Sequence, residues 1–308
     1  MKKNILLTIA LFSFWWCEAQ HTGPFGQAAE SFGLYNPAGL AFEEMRHDGT
    51  IFNLHIRNQW WNQNLPGQPT TQTLTWLENQ QKQLFGIRLN TDQIGETNRV
   101  GVTGRYAHAA GRGLKIGVGA GIYSNNTNVE KLYIYDLDDE VAMQAGETRV
   151  QLEASAGIFY HFFDPNRAWQ WFAGASFRRL FFITPLAGSE GSTPENDLQL
   201  QGGISREKWL IAGQARISFQ QPSAADFYLR RYFAGETVFL GLLATSDLKH
   251  HTAGVQAGYE WPLKSGGKQN NHYLNFSLGM SKPLSQYIDG NNLIVDFRVV
   301  WLWAHGKK

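Results

Sequence analysis

Hydrophobic and polar residues alternate along most of this chain, and strict alternation predicts β-strands whose two faces lie in different environments. The last run, 293–303, places apolar and aromatic residues on one face and Asp296 and Arg298 on the other. The runs at 149–162 and 209–219 alternate in the same way. A basic side chain at mid-depth on the lipid side of a membrane strand costs about 2 to 4 kcal/mol, so the charged faces are predicted to point into a lumen.

Similar segments recur along the chain and bring the count to about thirteen strands. They lie near 49–58, 70–77, 83–91, 98–109, 112–123, 168–181, 196–205, 236–246, 250–262 and 272–283. Because a single-chain bacterial barrel has an even number of strands, we predict about fourteen, with the remaining strand near Phe227 to Ala234. The predicted fold class is therefore all-β, a transmembrane antiparallel β-barrel.

Two of the predicted connections are long, Asn125 to Glu147 and Ile183 to Asn196, and long loops lie on the extracellular side of such barrels. Aromatic residues near the strand ends are expected to form the girdles at the two membrane interfaces. The alternative is that they reflect the β-propensity of aromatic residues alone. They are Tyr106, Tyr123, Tyr160, Trp169, Trp171, Trp209, Tyr259, Trp261, Tyr273, Trp301 and Trp303.

The N-terminus has the pattern of a secretory signal peptide, with basic residues at Lys2 and Lys3 before an apolar stretch. We expect residues 1–19 to be this signal, cleaved after Ala19, and residues 20–308 to form a single outer-membrane β-barrel domain. The alternative, lipidation of Cys17, is disfavoured by the bulky residues that precede it. After residue 20 no apolar run reaches about 18 residues, so insertion by strands into the outer membrane of a Gram-negative bacterium is predicted.

Charge and cysteine content exclude several classes of function. The chain has 27 basic and 26 acidic residues and a net charge of +1, which gives no field that favours nucleic acid as a partner. The one cysteine, Cys17, lies in the predicted signal, so the barrel domain has no disulfide framework and no cysteine metal site.

No residues combine into a recognisable catalytic, cofactor or metal site. His250 and His251 are adjacent and face opposite sides of a strand. The acidic stretch 136–140 lacks the glycine and the spacing of a calcium loop. Ser155 and His161 lie about 20 Å apart along one strand, too far for a catalytic pair. We therefore expect no catalytic residue, no cofactor, no metal and no enzyme activity.

Glycines at 117, 119 and 121 occupy one face of a single predicted strand. Glycine inside a strand weakens it unless another segment approaches closely or the sheet bends. Two interpretations stay open: an internal segment, with residues 20–47 as the candidate, packs against this stripe in the lumen, or the stripe only provides curvature.

Several short motifs occur in a characteristic order over roughly residues 20 to 140. They are Asn36-Pro37-Ala38, Arg57-Asn58-Gln59-Trp60, Thr71-Gln72-Thr73-Leu74, Gly86 with Asp92, Ile94, Gly95 and Thr97, Tyr106-Ala107, Leu114-Lys115-Ile116-Gly117 and Ala120-Gly121. In order and spacing they resemble the PorP/SprF family of type IX secretion system membrane proteins.

The resemblance implies a non-enzymatic outer-membrane barrel that assists the secretion of large surface proteins and, in gliding bacteria, the adhesin export of gliding motility. Its implied partners are a secreted surface protein with a C-terminal sorting domain, other type IX secretion components and outer-membrane lipid. The Asn125 to Glu147 loop is a hypothetical partner contact because it is long, acidic and carries tyrosines; the residues in question are Tyr133, Tyr135, Asp136 and Asp138.

Two other functions stay open. Asn36-Pro37-Ala38-Gly39-Leu40 is also similar to the start of FadL-type channels, which implies a channel for hydrophobic or small solutes. An outer-membrane hydrolase is the third hypothesis.

Of the motif residues, Arg57 is expected to form an ion pair or carbonyl contacts in the lumen, and Trp60 is expected to lie at the membrane interface.

Overall fold

Fourteen antiparallel strands form one closed barrel, which confirms the predicted fold class and strand count. The computed structural model describes residues 35–39, 49–59, 68–80, 82–127, 149–162, 169–182, 195–206, 208–219, 223–233, 237–246, 251–263, 272–283 and 293–304. The strands are β1 Gly49–Asn58, β2 Thr70–Asn79, β3 Gln83–Ile94, β4 Thr97–Ala109, β5 Leu114–Thr127, β6 Arg149–Phe162, β7 Trp169–Phe182, β8 Glu195–Arg206, β9 Trp209–Ser218, β10 Ala224–Phe233, β11 Val238–Ser246, β12 His251–Leu263, β13 His272–Pro283 and β14 Ile294–Ala304.

The barrel closes by pairing its first and last strands. β1 and β14 run antiparallel from Gly49 opposite Ala304 to Asn58 opposite Val295. Every other strand pairs with its neighbours in sequence, so each has two hydrogen-bonded partners.

The predicted extra strand is β10, Ala224–Phe233. Across the described ranges, no helix is long and apolar enough to cross a membrane.

The outer surface is apolar and the inner surface largely polar, as the alternation predicts. On β14, Trp301 and Trp303 are exposed on the outside, whereas Asp296 and Arg298 are buried in the lumen. The same alternation holds on β6, where Leu152 is exposed outside and Glu153 is buried inside. An apolar exterior is what the hydrocarbon core of the outer membrane requires.

The two ends of the barrel differ in the length of their connections. The predicted long loops, Asn125 to Glu147 and Ile183 to Asn196, lie at the same end, and the adjoining strands extend slightly into both. By the usual arrangement of bacterial barrels this is the extracellular end. The long connections there are 59–69, 128–148, 183–194 and 284–293, and the connections at the opposite, periplasmic end include 80–82, 110–113, 163–168 and 207–208.

Of the eleven residues predicted to form girdles at the two interfaces, nine face outward, all toward the periplasmic end of their strands, and two face the lumen. Trp169, Trp209 and Trp301 are exposed on the outer surface near the periplasmic end. Tyr123, in contrast, is buried in the lumen, and Tyr273 packs against the buried apolar core. Tyr123 lies on the glycine face of β5, so the direction of its side chain follows from the phase of the strand, not from its aromatic character.

The lipid-facing assignment leads to a test on one strand. Leu242, near the middle of β11, is 56% exposed on the outer face. We expect Leu242→Arg to lower the free energy of unfolding in phospholipid vesicles by about 2 to 4 kcal/mol, because the guanidinium would stand in hydrocarbon. Val238→Arg, on the same face at the end of the same strand, should cost about 0 to 1 kcal/mol. Equal costs for both variants would contradict this placement of the membrane.

Candidate functional site

A short stretch of the N-terminal region, Tyr35–Gly39, lies inside the barrel, and we call it the lumen segment. Asn36 and Ala38 are completely buried, and Pro37 and Gly39 are buried as well. The segment lies against the wall formed by β4 to β7, next to the glycine face of β5. The Asn36-Pro37 motif therefore belongs to the interior of the barrel.

Asn36 attaches the lumen segment to the backbone of the wall. Its Nδ2 donates to the carbonyl oxygens of Ile158 at 3.0 Å and of Ala175 at 3.4 Å. Ile158 and Ala175 are directly opposite each other on β6 and β7. Asn36 Oδ1 also accepts from the backbone N–H of Ala38 at 3.0 Å, and Asn36 O accepts from Gly39 N at 2.9 Å. One amide side chain thus connects two strands and fixes the turn that follows it.

Both ends of the lumen segment are held by side chains of the wall. Arg105 on β4 donates from Nη1 to the carbonyl oxygen of Gly39 at 2.9 Å. Ser176 on β7 donates from Oγ to the carbonyl oxygen of Tyr35 at 3.3 Å. These bonds satisfy the two carbonyl groups, which inside the barrel would otherwise have no water to bind.

Glycines in the wall make room for the lumen segment. A Cβ added at Gly117 would lie 2.7 Å from Ala38 N, and one at Gly157 would lie 2.1 Å from Asn36 Oδ1. A Cβ at Gly174 would lie 2.9 Å from Asn36 Nδ2. The close approach expected at the glycine stripe is therefore present at Gly117. The rest of the candidate stretch 20–47, and the predicted signal, lie outside the described residues.

Two small cavities flank Tyr35 in the lumen. One, of about 20 Å³, is lined by residues that include Arg88 and Glu153. The other, of about 10 Å³, is lined by residues that include Arg216 and Asp226. A space of roughly 10 to 15 Å³ holds about one water molecule. Each of these two cavities therefore has space for about one or two water molecules.

A group of charged residues lines the lumen where the barrel closes. Asp296 Oδ1 lies 3.3 Å from His55 Nε2 and 4.0 Å from Arg57 Nε, so the ion pair expected of Arg57 is present. Arg298 donates from Nε to Asn53 Oδ1 at 3.1 Å. All five side chains are buried and come from only two strands, β1 and β14. The group links the first strand to the last.

A second network runs across the opposite wall from β3 to β8. Arg178 is hydrogen-bonded to Asp197 and lies 4.0 Å from Glu153. Glu153 accepts a bond of 2.7 Å from the Tyr123 hydroxyl, and Arg88 donates to the same hydroxyl oxygen at 3.2 Å. Buried charges in this network are paired, which offsets the cost of removing them from water.

Arg230 is enclosed by aromatic rings. It is completely buried, and its guanidinium carbon lies 3.8 Å from the centroid of the Phe239 ring. Its Nη1 donates to the Tyr232 hydroxyl at 2.9 Å, and its Nε donates to the Tyr228 hydroxyl. The Tyr228 hydroxyl in turn donates to Gln256 Oε1 at 2.5 Å. Cation–π contacts and hydrogen bonds together stabilise this desolvated charge.

The lumen also contains an apolar layer, so the expectation of a wholly polar interior is incomplete. Phe159, Phe172 and Leu210 pack there near the periplasmic ends of their strands. The whole cluster is Ala38, Ile51, Leu77, Leu84, Ala107, Phe159, Phe172, Leu210, Ala212, Tyr228, Tyr232, Phe239, Leu243, Val300 and Leu302.

The motif residues of β2 and β3 form pairs across the strands. Thr71 donates to Asp92 Oδ1 at 2.5 Å, and Thr73 donates to Asn90 Oδ1 at 3.0 Å, both on the lumen side. Gln72 lies between them and is exposed on the outer face. The predicted Thr-Gln-Thr element is thus divided between the two surfaces of the barrel.

The remaining motif residues lie near strand ends. Asn58 Oδ1 accepts from Thr70 Oγ1 at 2.9 Å, and Gln59 N donates to Pro69 O at 2.9 Å, which holds together the base of the β1–β2 connection. Gly95 has φ +58° in the tight β3–β4 turn, a conformation that glycine adopts without strain. The other candidates, Trp60, Tyr133, Tyr135, Asp136 and Asp138, lie outside the described residues.

The predicted residues therefore do not form one site. The structure brings Arg57 to Asp296 and Thr71 to Asp92, and it places Asn36 against a different part of the wall. The sequence pattern does not single out Arg105, Ser176 or Arg230. The only signal available for them is an inward position on a strand, which many lumen residues share. Within the described ranges, no group of histidine, cysteine and acidic residues is arranged to hold a metal ion.

The family model described as type IX secretion system membrane protein PorP/SprF matches residues 19–292. No curated protein matches the sequence of the chain.

The chain is similar in fold to solved outer-membrane barrels. The monoaromatic hydrocarbon channel CymD is 11% identical with a TM-score of 0.54, and 93% of this chain and 95% of that chain are covered. The toluene transporter TbuX of Ralstonia pickettii is 12% identical with a TM-score of 0.53, covering 92% and 99%. A FadL homologue of Pseudomonas aeruginosa is 8% identical with a TM-score of 0.51, covering 94% and 99%. At such low identity the likeness shows the fold alone.

The role of Asn36 as an anchor can be tested by removing its donor group. Asn36→Asp keeps the shape of the side chain but places a carboxylate against the carbonyl oxygens of Ile158 and Ala175. We expect the free energy of unfolding in detergent to fall by about 1 to 3 kcal/mol, the cost of leaving buried polar groups unpaired. Gln72→Glu, the same chemical change on the outer face, is the control and should cost less. A similar loss for both variants would refute the anchoring role.

The contact at Gly117 gives an independent test of the same packing. Gly117→Val places side-chain atoms where the backbone of Ala38 lies, so we expect the lumen segment to be displaced. The rate at which maleimide labels Ala38→Cys, in a barrel without Cys17, should rise in the Gly117→Val background. Gly104→Val is the control, because a Cβ at Gly104 lies 4.0 Å from its nearest neighbour. Unchanged labelling at position 38 would show that Gly117 does not accommodate the segment.

Proposed function

The chain belongs to the PorP/SprF family of type IX secretion system membrane proteins, and from that membership we propose that it assists the export or surface retention of one specific secreted protein. It is a component of the Gram-negative outer membrane. In the proposed role it performs no catalysis: it binds its partner and the other secretion components. The main conduit for the secreted protein is then a different protein.

The observation that carries this proposal is the occupied lumen. The lumen segment, the ion-paired networks and the apolar layer occupy part of the interior where the chain is described. Translocation of a polypeptide through this barrel would require the hydrogen bonds of Asn36 and the buried ion pairs to break. A barrel occupied in this way favours binding at its ends over transport through its centre.

The proposed partner is a secreted surface protein with a C-terminal sorting domain. Its proposed contact is the connection 128–148 at the extracellular end, between the end of β5 and the start of β6. That connection carries Tyr133, Tyr135, Asp136 and Asp138. Tyrosines supply contact area at low entropic cost, and acidic residues favour a partner surface of opposite charge.

A second candidate function is a channel for hydrophobic or small solutes. It is favoured by the likeness in fold to the hydrocarbon channel CymD and by the apolar layer in the lumen. Solutes of that class would enter an apolar layer without a cost for desolvating polar groups. The two candidates differ in one measurable property, the flux of solute through the purified barrel.

The partner role is tested by affinity purification of the tagged full chain from native outer membranes. We expect a secreted surface protein and other secretion components to co-purify. Deletion of residues 129–147, which leaves β5 and β6 whole, should reduce recovery of the surface protein about tenfold, corresponding to about 1.4 kcal/mol of lost binding. Deletion of residues 184–193 in the other long connection is the control. Full secretion and co-purification after the first deletion would rule out this contact.

The channel role is tested by the conductance of the purified barrel in planar bilayers and by efflux of a small polar solute such as glucose from vesicles, because toluene crosses a lipid bilayer without a channel. We expect neither conductance nor efflux above that of protein-free membranes, because the lumen segment and the networks around it lie across the described interior. Conductance or efflux through the wild-type barrel would instead favour the channel. The Gly117→Val variant, in which the segment is expected to move, then tells whether the segment controls that flux.

A further inference from the structure

Tryptophan and arginine alternate in a row on the outer surface at the periplasmic end of the barrel, and we call this the Trp–Arg row. Trp169 is opposite Arg206 on the neighbouring strand, and Arg206 is also opposite Trp209. Trp209 is in turn opposite Arg231. The row therefore crosses four consecutive strands, from β7 to β10, at a single level.

The arginines of the row lie on the tryptophan rings. The guanidinium carbon of Arg206 is 4.8 Å from the Trp169 ring centroid, and that of Arg231 is 5.0 Å from the Trp209 ring centroid. All four side chains are exposed on the outside of the barrel. Stacking of this kind orients a guanidinium.

The row lies at the depth of lipid headgroups. Arg206 is the last residue of β8, Trp169 is the first of β7 and Trp209 is the first of β9. An outward-facing arginine is costly in the hydrocarbon core and costs almost nothing near the interface, and tryptophan prefers that same interface. Lys208, in the turn between β8 and β9, adds a third exposed cation next to the row.

We propose that the Trp–Arg row binds the phosphate groups of anionic phospholipids in the periplasmic leaflet of the outer membrane. Arg206 and Arg231 flank Trp209 from the two neighbouring strands, so their backbones lie roughly 10 Å apart, two strand spacings. A guanidinium forms two parallel hydrogen bonds with a phosphate. Trp209, between the arginines, and Trp169, beside Arg206, contact the glycerol and upper acyl region of the same lipids.

The chain provides a matched comparison at its other end. Arg179 on β7 also faces outward, with its guanidinium carbon 4.9 Å from the Phe181 ring centroid. Its cross-strand neighbours on that face are Ala154 and Asn196, which carry no positive charge. Arg179 is thus a stacked, outward-facing arginine with no second arginine beside it on that face. It serves as the control for the effect of a single outward arginine.

The test uses the full-length barrel, delipidated in detergent and titrated with phosphatidylglycerol, with bound lipids counted by native mass spectrometry. We expect Arg206→Gln combined with Arg231→Gln to weaken phosphatidylglycerol binding about tenfold or more, because both substitutions remove charged hydrogen bonds to phosphate. Arg179→Gln should have a smaller effect. The combination Arg206→Lys with Arg231→Lys should restore part of the affinity, because the positive charges remain. Circular dichroism and thermal unfolding establish that each variant is folded.

Several results would overturn the proposal. Unchanged lipid binding in the double glutamine variant would do so, and so would an equal loss in Arg179→Gln. If inorganic phosphate binds the row with the same affinity as the lipid and competes with it, the row is a site for a soluble anion. If the double variant keeps its lipids but loses a periplasmic protein in affinity purification, the row binds a protein partner instead. Selective loss of phosphatidylglycerol, with phosphatidylethanolamine binding unchanged, supports the site as proposed.

Discussion

The pairing of β1 with β14 is the constraint on which the rest of the structure depends. In hydrocarbon an unpaired backbone N–H or C=O costs several kcal/mol, so a sheet that spans a membrane must have no free edge. The register of this pair also sets Arg57 opposite Asp296 and His55 opposite Arg298. The same contact that satisfies the backbone therefore assembles a buried charged group from the two ends of the barrel sequence. Closure and the electrostatics of the lumen are consequences of one alignment.

Inside the closed barrel, the inward-facing groups are accommodated in three ways. Ion pairs such as Arg178 with Asp197 neutralise inward charges, and aromatic rings enclose Arg230. The lumen segment occupies the space beside the glycines of the wall. Asn36 suits this position because its amide donates to wall carbonyls while its oxygen accepts from the segment itself. An apolar side chain there would leave the carbonyl groups without these donors.

Alternation alone predicts the strands, their faces and the polarity of the two surfaces, because a strand repeats every two residues whatever its partners are. The prediction from residue type fails where it disagrees with the phase: Tyr123 has the chemistry of a girdle residue and the phase of a lumen residue, and the phase decides. The contacts of Asn36 with Ile158 and Ala175 join residues 122 and 139 positions apart, so no local pattern records them. The family motifs identify the family, but they do not predict the contacts of their own residues. Gln72, for example, faces outward between two threonines that face inward.

The likeness to hydrocarbon channels and the membership of a secretion family are compatible, because the likeness concerns the fold alone and the family is defined by sequence. Closure and alternation are imposed by the bilayer on any barrel of this strand number, so sequences with little in common share the fold. What a barrel does depends on the contents of its lumen and the chemistry of its ends and outer surface. Here the described interior holds the lumen segment, and the proposed recognition therefore involves the extracellular connections and the outer surface. The extracellular connections are the parts in which members of one fold differ most freely, since the membrane does not dictate their sequence.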